Sequence, residues 1–460
     1  MPIHITANYK RAFKDADIRG VYPNEIDEEL VYLVARSFID EYGYKEMVIG
    51  RDMRLSTPAL FDAFKKGVTD AGASVIDIGL VSTPMVYYAS GTWQLPAVMI
   101  TASHSPRDYN GLKLVLPGAI PLTEAHGLRL VRKRLEKGVF KEVEKKGKVR
   151  QKSVLRGYQK LVLKGVKAAA FKSLKIVADC GNGMSSVALP LLAEKLPATF
   201  TSLFTELDGR FPNRDSDPTL KKNQRAITKK LKEGGHDFGI SFDGDADRVA
   251  FFDEKGNYIN SAIIGALIAR RLLQTVPGSR LTYTNLTSRV YEESIRRYGG
   301  KPVPARVGHA FIKETMRKKD VLFACEHSGH FYFKDYFYTD SVALTLLLVM
   351  TEYAEAKKRG ESFSAMIAPF QLYAQTEDVI VPVENQKQAL EDLRVWLEKR
   401  QPKQLKKFDG YYVDFGDVWG AVKISVTEPA LKMMFEGKKR KAAEALQAEV
   451  VAYVKTLAKR

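Results

Sequence analysis

The chain has 460 residues, 45% apolar and 27% charged, a balance that specifies a folded globular protein and excludes a disordered one. At this length one core is not enough, and three or four domains are expected. Lysine and arginine outnumber aspartate and glutamate by 72 to 54, a net charge of +18. The excess gathers in Arg129 to Lys175 and in the basic run from Lys438 onward, with few aromatic side chains interleaved. A solvated basic surface is therefore expected, with no nucleic-acid partner.

The longest apolar stretch, Val342 to Met350, falls short of the roughly 20 residues that span a bilayer. The polar start Met1-Pro2-Ile3-His4 lacks signal-peptide character, so a cytoplasmic protein without a membrane partner is expected. Two cysteines, Cys180 and Cys325, lie in glycine-rich or charged surroundings and indicate neither a disulfide framework nor a zinc site.

The first third alternates strand-like and helix-like segments. Met47 to Gly50 reads as a strand, followed by a helix opened by Ser56-Thr57-Pro58, with Leu60, Phe61, Phe64 and Val68 on its apolar face. Ser74 to Ile78 and Ala97 to Ile100 read as further strands, the alternation of an α/β layer fold. The last of these runs into a polar loop, Thr101-Ala102-Ser103-His104-Ser105-Pro106-Arg107-Asp108-Tyr109-Asn110-Gly111-Leu112-Lys113. A loop with a hydroxyl, an imidazole and cations at the end of a buried strand is where α/β proteins place chemistry. Taken alone, Ser103-His104 fits ordinary loop capping equally well.

The pattern restarts at Lys175 to Ala178, after a charged linker near Lys145 to Lys152, and again at Arg280 to Tyr283. In the second unit, strand Phe238 to Phe242 leads into Asp243-Gly244-Asp245-Ala246-Asp247-Arg248 and then strand Val249 to Phe252. Three alternate carboxylates in a tight turn repel one another unless a cation neutralises them, so a hard divalent ion is expected. Asp243, Asp245, Asp247 and Glu254 also fall at positions 1, 3, 5 and 12 of a calcium loop. Against that reading, Arg248 takes the place of the turn glycine, and β-like runs flank the loop where helices belong.

In the third unit Arg306-Val307-Gly308-His309 precedes a helix, and strand Val321 to Ala324 leads to Cys325-Glu326-His327-Ser328-Gly329-His330. Beyond Pro369 the texture becomes α+β, with strands at Asp378 to Val381 and within Gly410 to Val426, and helices at Asn385 to Lys399 and Arg440 to Ala458. Lys423-Ile424-Ser425-Val426-Thr427-Glu428-Pro429 reads, on its own, as an amphipathic strand. The expected division is 1–150, 151–256, 257–368 and 369–460.

Thr101 to Lys113 closely resembles the Thr-Ala-Ser-His-Asn-Pro and Tyr-Asn-Gly-x-Lys signature of the α-D-phosphohexomutases, the phosphomannomutase/phosphoglucomutase family, with Ser105 where asparagine is usual. The resemblance implies that Ser103 is the phosphoserine carrier and a metal contact. It also implies that His104 and Lys113 are catalytic, Lys113 by assisting proton transfer. Asp17-Ile18-Arg19-Gly20-Val21 is similar to the family's N-terminal element, whose arginine, here Arg19, reaches into the active site; Ala16 replaces a common tyrosine. The aspartate loop matches the family's metal loop residue for residue, which implies Mg²⁺ on Asp243, Asp245 and Asp247 and a phosphate or sugar contact from Arg248.

Cys325 to His330 resembles the family's Gly-Glu-Met-Ser-Gly-His loop, implying that Glu326 and Ser328 grip sugar hydroxyls and that His330 acts in proton transfer. Gly308 and His309 map near the substrate, while Leu286 stands where the family often has lysine. Lys423 to Pro429 is similar to the Arg-x-Ser-Asn-Thr phosphate loop and implies contacts from Lys423, Ser425, Val426 and Thr427. Lysine there offers a point charge where arginine offers a fork.

The implied fold is α/β, with three similar mixed-sheet α/β domains and a C-terminal α+β domain around a central cleft. The implied activity interconverts hexose 1- and 6-phosphates, of mannose and/or glucose, through a phosphoserine and a bound hexose 1,6-bisphosphate. Glucose or mannose 1,6-bisphosphate would be the activator, a small phosphosugar the sole partner, and the enzyme a monomer. Three alternatives stay open: a phosphoglucosamine mutase, whose motif usually runs Asp-Asn-Gly where this chain has Tyr109-Asn110-Gly111; a metal-dependent sugar phosphatase; and an inactive sugar-phosphate binder.

Overall fold

Short apolar runs alternating with amphipathic segments dictate layered α/β structure. The computed structural model, which describes residues 8–425 and 429–457, has that structure. The chain forms two compact units, residues 1–259 with 328–366 and residues 260–327 with 367–460. The third expected segment, 257–368, therefore contributes to both.

In the first unit, one mixed sheet runs in the order Ile18–Val21, Tyr109–Leu116, Ala97–Ile100, Glu46–Arg51, Ser74–Leu80, Val149–Gln151. Tyr109–Leu116 is antiparallel to both its neighbours and the remaining pairs are parallel. Ala97–Ile100 is buried along its whole length, as its unbroken apolar run requires. Helices Glu28–Tyr42 and Thr57–Asp70 pack against each other through Leu30, Val34, Phe38, Leu60 and Phe64. The first is capped by Asp27, which accepts from Leu30 N at 2.8 Å, and is closed by Gly43 at φ 68°.

Three sequence expectations change here. Ser56 and Thr57 open the helix with Pro58 in its first turn, but Ser56 does not cap it. Its hydroxyl accepts from Asn110 Nδ2 (2.9 Å), and Thr57 Oγ1 donates to Asp52 Oδ1 (2.8 Å). The polar loop ends at Asp108, because Tyr109 onward is strand: Lys113 lies opposite Met99, and Gly111 opposite Arg19. The charged stretch expected as a linker contains the exposed strand Val149–Gln151, paired with Ser74–Leu80, so a boundary at 150 would cut a strand of this sheet.

A second sheet of the same unit runs Tyr258–Ile259, Val249–Phe252, Phe238–Phe242, Lys175–Asp179, Thr199–Leu203. Phe238–Phe242 and Val249–Phe252 form the hairpin that carries the aspartate loop. Hairpin Phe331–Phe333 with Thr339–Asp340 and helix Val342–Lys358 complete the unit. Tyr336 OH donates to Pro84 O (2.7 Å), Lys357 bridges both oxygens of Asp237 at 2.7 Å, and Phe238 stacks on Phe363 at 4.6 Å. The apolar stretch Val342 to Met350 lies in that helix, and among the described residues no helix is long and apolar enough to cross a membrane.

The second unit places parallel strands Lys301–Pro304, Arg280–Tyr283 and Phe323–Cys325 beside helices Ser261–Thr275, Arg289–Arg297 and His309–Lys319. Its C-terminal part is an antiparallel sheet in the order Ala374–Gln375, Ala430–Gly437, Val418–Ile424, Tyr411–Asp414, Gln404–Lys407. Helices Gln386–Glu398 and Arg440–Leu457 share a core with it through Leu393, Leu397, Val422, Phe435 and Val450. That is the α+β texture expected beyond Pro369.

At Gly67 helices Glu28–Tyr42 and Thr57–Asp70 approach closely, since a Cβ there would lie 2.4 Å from Tyr32 O and 2.8 Å from Ala35 Cβ. Gly67→Ala is expected to destabilise the protein by about 1–3 kcal/mol through overpacking, while the folded fraction keeps its activity. Thermal unfolding at matched protein concentration reads the loss; an unchanged midpoint would show that the helices separate freely.

Candidate active site

A two-strand hairpin whose turn carries carboxylates at alternate positions must bring them close together. Oxygens of Asp243, Asp245 and Asp247 lie within 4.8 Å of one another, and all three side chains are buried. The turn is tight: Ala246 sits at φ 55°, and Asp243 Oδ1 accepts from the backbone N–H groups of Asp247 (3.2 Å) and Arg248 (3.1 Å). Lys113 reaches across from the first sheet, its Nζ 2.6 Å from Asp245 Oδ2 and 2.5 Å from Asp247 Oδ2. Thr83 Oγ1 also donates to Asp245 Oδ2 (2.6 Å).

The charges respond to this crowding. Burial, with Asp245 and Asp247 beside it, pushes Asp243 well above the usual carboxylate range. For Asp247, burial acts in the same sense, but Lys113, His330 and Arg248 outweigh it and hold the carboxyl well below that range. Lys113 loses solvation too, yet two carboxylates more than compensate and raise its pKa, so it stands here as an ammonium. Asp245 Oδ1 is buried without a hydrogen-bond partner among the described residues, which fits an oxygen kept for a metal ion. The donor set is all carboxylate, as hard divalent ions prefer.

The serine loop meets this cluster directly. Ser103 is 1% exposed, sits at φ 53°, and donates from Oγ to Asp243 Oδ2 at 2.9 Å. His104 Nδ1 is 3.4 Å from the same Oγ. Burial, with Arg248 and Arg19 adding to it, lowers the His104 pKa well below the imidazole range and keeps the ring neutral. Arg19 donates to Ser105 Oγ (3.3 Å) and is held by Asp17. Arg248 Nε stands 3.8 Å from Asp243 Oδ2.

Ser328 and His330 come to the same place. Gly329 O accepts from Val249 N at 3.1 Å, which pins this turn to the strand after the aspartates. His330 Nε2 is then 3.2 Å from Asp247 Oδ1, its Nδ1 is 3.0 Å from Ser328 Oγ, and its ring stacks on Tyr332.

The second unit holds the other candidates. Gly308, at φ 122°, opens helix His309–Lys319, and its N–H donates to Glu326 Oε1 at 3.1 Å. Asp409 Oδ2 accepts from Val307 N (2.9 Å) and pairs with Lys423 Nζ (2.6 Å). Ser425 N donates to Ala430 O (2.9 Å); Val426 and Thr427 lie outside the described residues.

Residues 10–142 match alpha/beta/alpha domain I of the phosphoglucomutase/phosphomannomutase family, residues 156–256 its domain II and residues 260–373 its domain III. A protein named "Phosphohexose mutases" from Xanthomonas campestris pv. campestris is 34% identical over 92% of this chain and 94% of its own. The phosphomannomutase/phosphoglucomutase of Pseudomonas syringae pv. tomato is 34% identical over 97% of this chain and 95% of its own. A crystal structure of a phosphoglucomutase/phosphomannomutase family protein from Burkholderia thailandensis superimposes with a TM-score of 0.88 at 29% identity, covering 97% of this chain and 98% of that one. The chain belongs to the phosphoglucomutase/phosphomannomutase family.

Within this member of the family, several sequence departures have structural partners. Leu286 is buried against Ala421, Met434 and Val307. Cys325 is buried and donates to Ser261 O, while Gly265 leaves room for its sulfur, which a Cβ there would approach to 2.7 Å. The calcium-loop reading fails, because Glu254 is engaged by Ser364 through Oγ (2.5 Å) and N (3.0 Å). Sequence reasoning missed Thr83, Arg54, Asp409 and Arg214, the last donating to Phe242 O at the base of the aspartate loop (2.7 Å). Each is a lone residue with no motif around it.

Lys113→Met should leave the carboxylates without their bonded counter-ion and lower the stability of the metal-free protein by about 3–5 kcal/mol. Melting in chelator and in excess Mg²⁺ checks this: the metal should recover more stability in the variant than in the parent protein. Equal recovery in both would show that Lys113 does not balance the cluster.

Proposed function

We propose that this hexose-phosphate mutase interconverts the 1- and 6-phosphates of mannose or glucose through a phosphoserine at Ser103 and a hexose 1,6-bisphosphate that stays bound. The observation that carries this reading is the 2.9 Å contact between Ser103 Oγ and Asp243 at the edge of a buried carboxylate trio. A serine of ordinary structural role has no reason to bond one member of such a trio. The names of the relatives support the sugar, and Tyr109 before Asn110-Gly111 favours mannose or glucose over glucosamine.

Mg²⁺ bound by Asp243, Asp245 and Asp247 would stabilise negative charge on the transferring phosphoryl group and contact the phosphorylated Ser103. In the first half-cycle the phosphoryl group leaves Ser103 Oγ for the free hydroxyl of a hexose monophosphate: the hydroxyl gives up its proton as the new P–O bond forms, and Ser103 Oγ gains one as the old bond breaks. His104, neutral and 3.4 Å from Oγ, and His330, between Ser328 and Asp247, are the two groups placed to move that proton. Lys113, as an ammonium, supplies positive charge beside the transfer. Arg19 and Arg248 supply the cations that a phosphate at Ser103 needs. In the second half-cycle the turned bisphosphate returns its other phosphoryl group to Ser103.

By motif, Gly308, His309, Glu326 and Ser328 are assigned to the sugar, and Lys423, Ser425, Val426 and Thr427 to the non-reacting phosphate. The four segments expected from the sequence, with the first boundary moved past Gln151 to keep its strand whole, are taken as domains, each bringing one of these loops. Glucose or mannose 1,6-bisphosphate is taken as the activator that loads Ser103, and the enzyme as a cytoplasmic monomer.

Phosphorus NMR of the protein with Mg²⁺ and a trace of glucose 1,6-bisphosphate tests the reading, with glucose, mannose and glucosamine 1-phosphates in separate tubes. A 6-phosphate is expected from the first two, whereas free phosphate would point to a hydrolase. Ser103→Ala should fold, bind ligand and lose at least roughly 1,000-fold in turnover; undiminished activity would remove Ser103 as carrier. Asp245→Asn should raise the Mg²⁺ required for half-maximal activity at least about tenfold, read in a metal titration.

A further inference from the structure

Arg54 is 1% exposed and lies under the serine loop. Its Nη1 donates to Pro106 O (2.6 Å) and Tyr109 O (2.9 Å), and its Nη2 to Ser103 O (2.9 Å) and Ser105 O (2.7 Å). One guanidinium thus binds four carbonyls within seven consecutive residues. Burying a cation without a partner is prohibitive, and here Asp52, equally buried, stands 3.3 Å from Nε. Asp52 is fixed in turn by Thr57 Oγ1 (2.8 Å) and by the backbone N–H of Arg54 (3.0 Å).

Two features show what this cage achieves. Ser103 holds φ 53°, a conformation that a residue with a Cβ adopts only when its surroundings impose it. Its carbonyl is gripped by Arg54 on one side, and on the other it is so close to the aspartate loop that a Cβ on Gly244 would lie 2.6 Å from it. With the carbonyl trapped, the direction of the Ser103 side chain is set, and Oγ reaches Asp243.

We propose that Arg54, anchored by Asp52, is a positioning residue for phosphoryl transfer: it holds the carrier loop by four carbonyls so that Ser103 Oγ is presented to the aspartate cluster. The inference rests on Ser103 as the carrier. Both Nη atoms of Arg54 are taken up by these backbone carbonyls, so its removal is expected to act on the transfer step and to spare sugar binding. Lysine cannot substitute, because an ammonium has three donors on one atom and cannot span four carbonyls with a planar fork.

The test compares the full-length parent with Arg54→Lys. Phosphorylation of Ser103 by glucose 1,6-bisphosphate is followed by intact mass, turnover by steady-state kinetics, and the loop by hydrogen exchange. The expected result is a loss of about 100-fold in kcat and in the rate of Ser103 phosphorylation, with KM within about threefold of the parent. Exchange should rise at residues 102–109 while residues 243–248 keep their protection. A kcat within about threefold of the parent, or a rise in KM that matches the fall in kcat, overturns the proposal. Should Arg54→Lys not fold, Asp52→Asn decides, since it keeps the four carbonyl bonds but loosens their anchor: a smaller fall in kcat with raised exchange at 102–109 supports the role, and parental kcat with unchanged exchange overturns it. A parent protein that takes no phosphate on Ser103 would instead refute the carrier assignment itself.

Discussion

Three buried carboxylates with oxygens within 4.8 Å of one another are the constraint on which the rest of the first unit depends. At that separation two unit charges repel by roughly 3 kcal/mol at an effective dielectric of about 20, and three pairs are present. Neighbouring groups meet this repulsion. Lys113 cancels one charge while bonding two of the three aspartates, and the rise in proton affinity at Asp243 marks what remains. A divalent ion would match the two remaining charges, which is why a cluster that is awkward in the metal-free protein suits a metal-dependent transfer. Phosphorylation of Ser103 would add about two further negative charges beside Asp243, and Arg19 and Arg248 stand close enough to answer them.

The same constraint explains which elements meet at the site. Lys113 is on a strand of the first sheet, the aspartates are on a hairpin of the second, Thr83 opens a helix, and His330 follows a turn pinned to Val249. Three separate segments converge on the hairpin, and each brings a group that the carboxylates need.

Contiguous chemistry was legible in the sequence and dispersed chemistry was not. Six adjacent residues from Asp243 to Arg248 declare a metal loop because repulsion between alternate carboxylates is a local fact, and the serine loop and the Glu326 to His330 loop are equally compact strings. The strands and helices that carry them were legible from apolar runs. Val149–Gln151 escaped because an exposed strand of Val, Arg and Gln carries no apolar alternation to mark it. Ser56 misled because a serine before Thr-Pro is a good cap by local rules, yet here its hydroxyl serves Asn110, 54 positions away. Thr83, Arg54, Arg214 and Asp409 were invisible for a related reason: the contacts that tie them to the site, such as Arg54 to the carbonyls of Ser103 and Tyr109, are remote in sequence, and the one neighbour that marks Arg54, Asp52, reads as an ordinary local ion pair.

The departures from the family's motifs can be judged by what they touch. Leu286 does not leave a gap where a lysine is common; it fills an apolar cluster with Ala421, Met434 and Val307, so that corner of the second unit has exchanged charge for packing. Lys423 replaces an arginine whose fork would bind phosphate through two parallel bonds. Its ammonium is buried and already paired with Asp409, which also holds Val307 N. Under the proposed assignment to a phosphate, that pairing still leaves it donors, because an ammonium has three and Asp409 accepts from one. It does change the energetics: a phosphate approaching Lys423 must share the cation with a fixed carboxylate, so the attraction is weaker than to an unpaired arginine. The carboxylate in return fixes the direction of the Lys423 side chain before any ligand arrives.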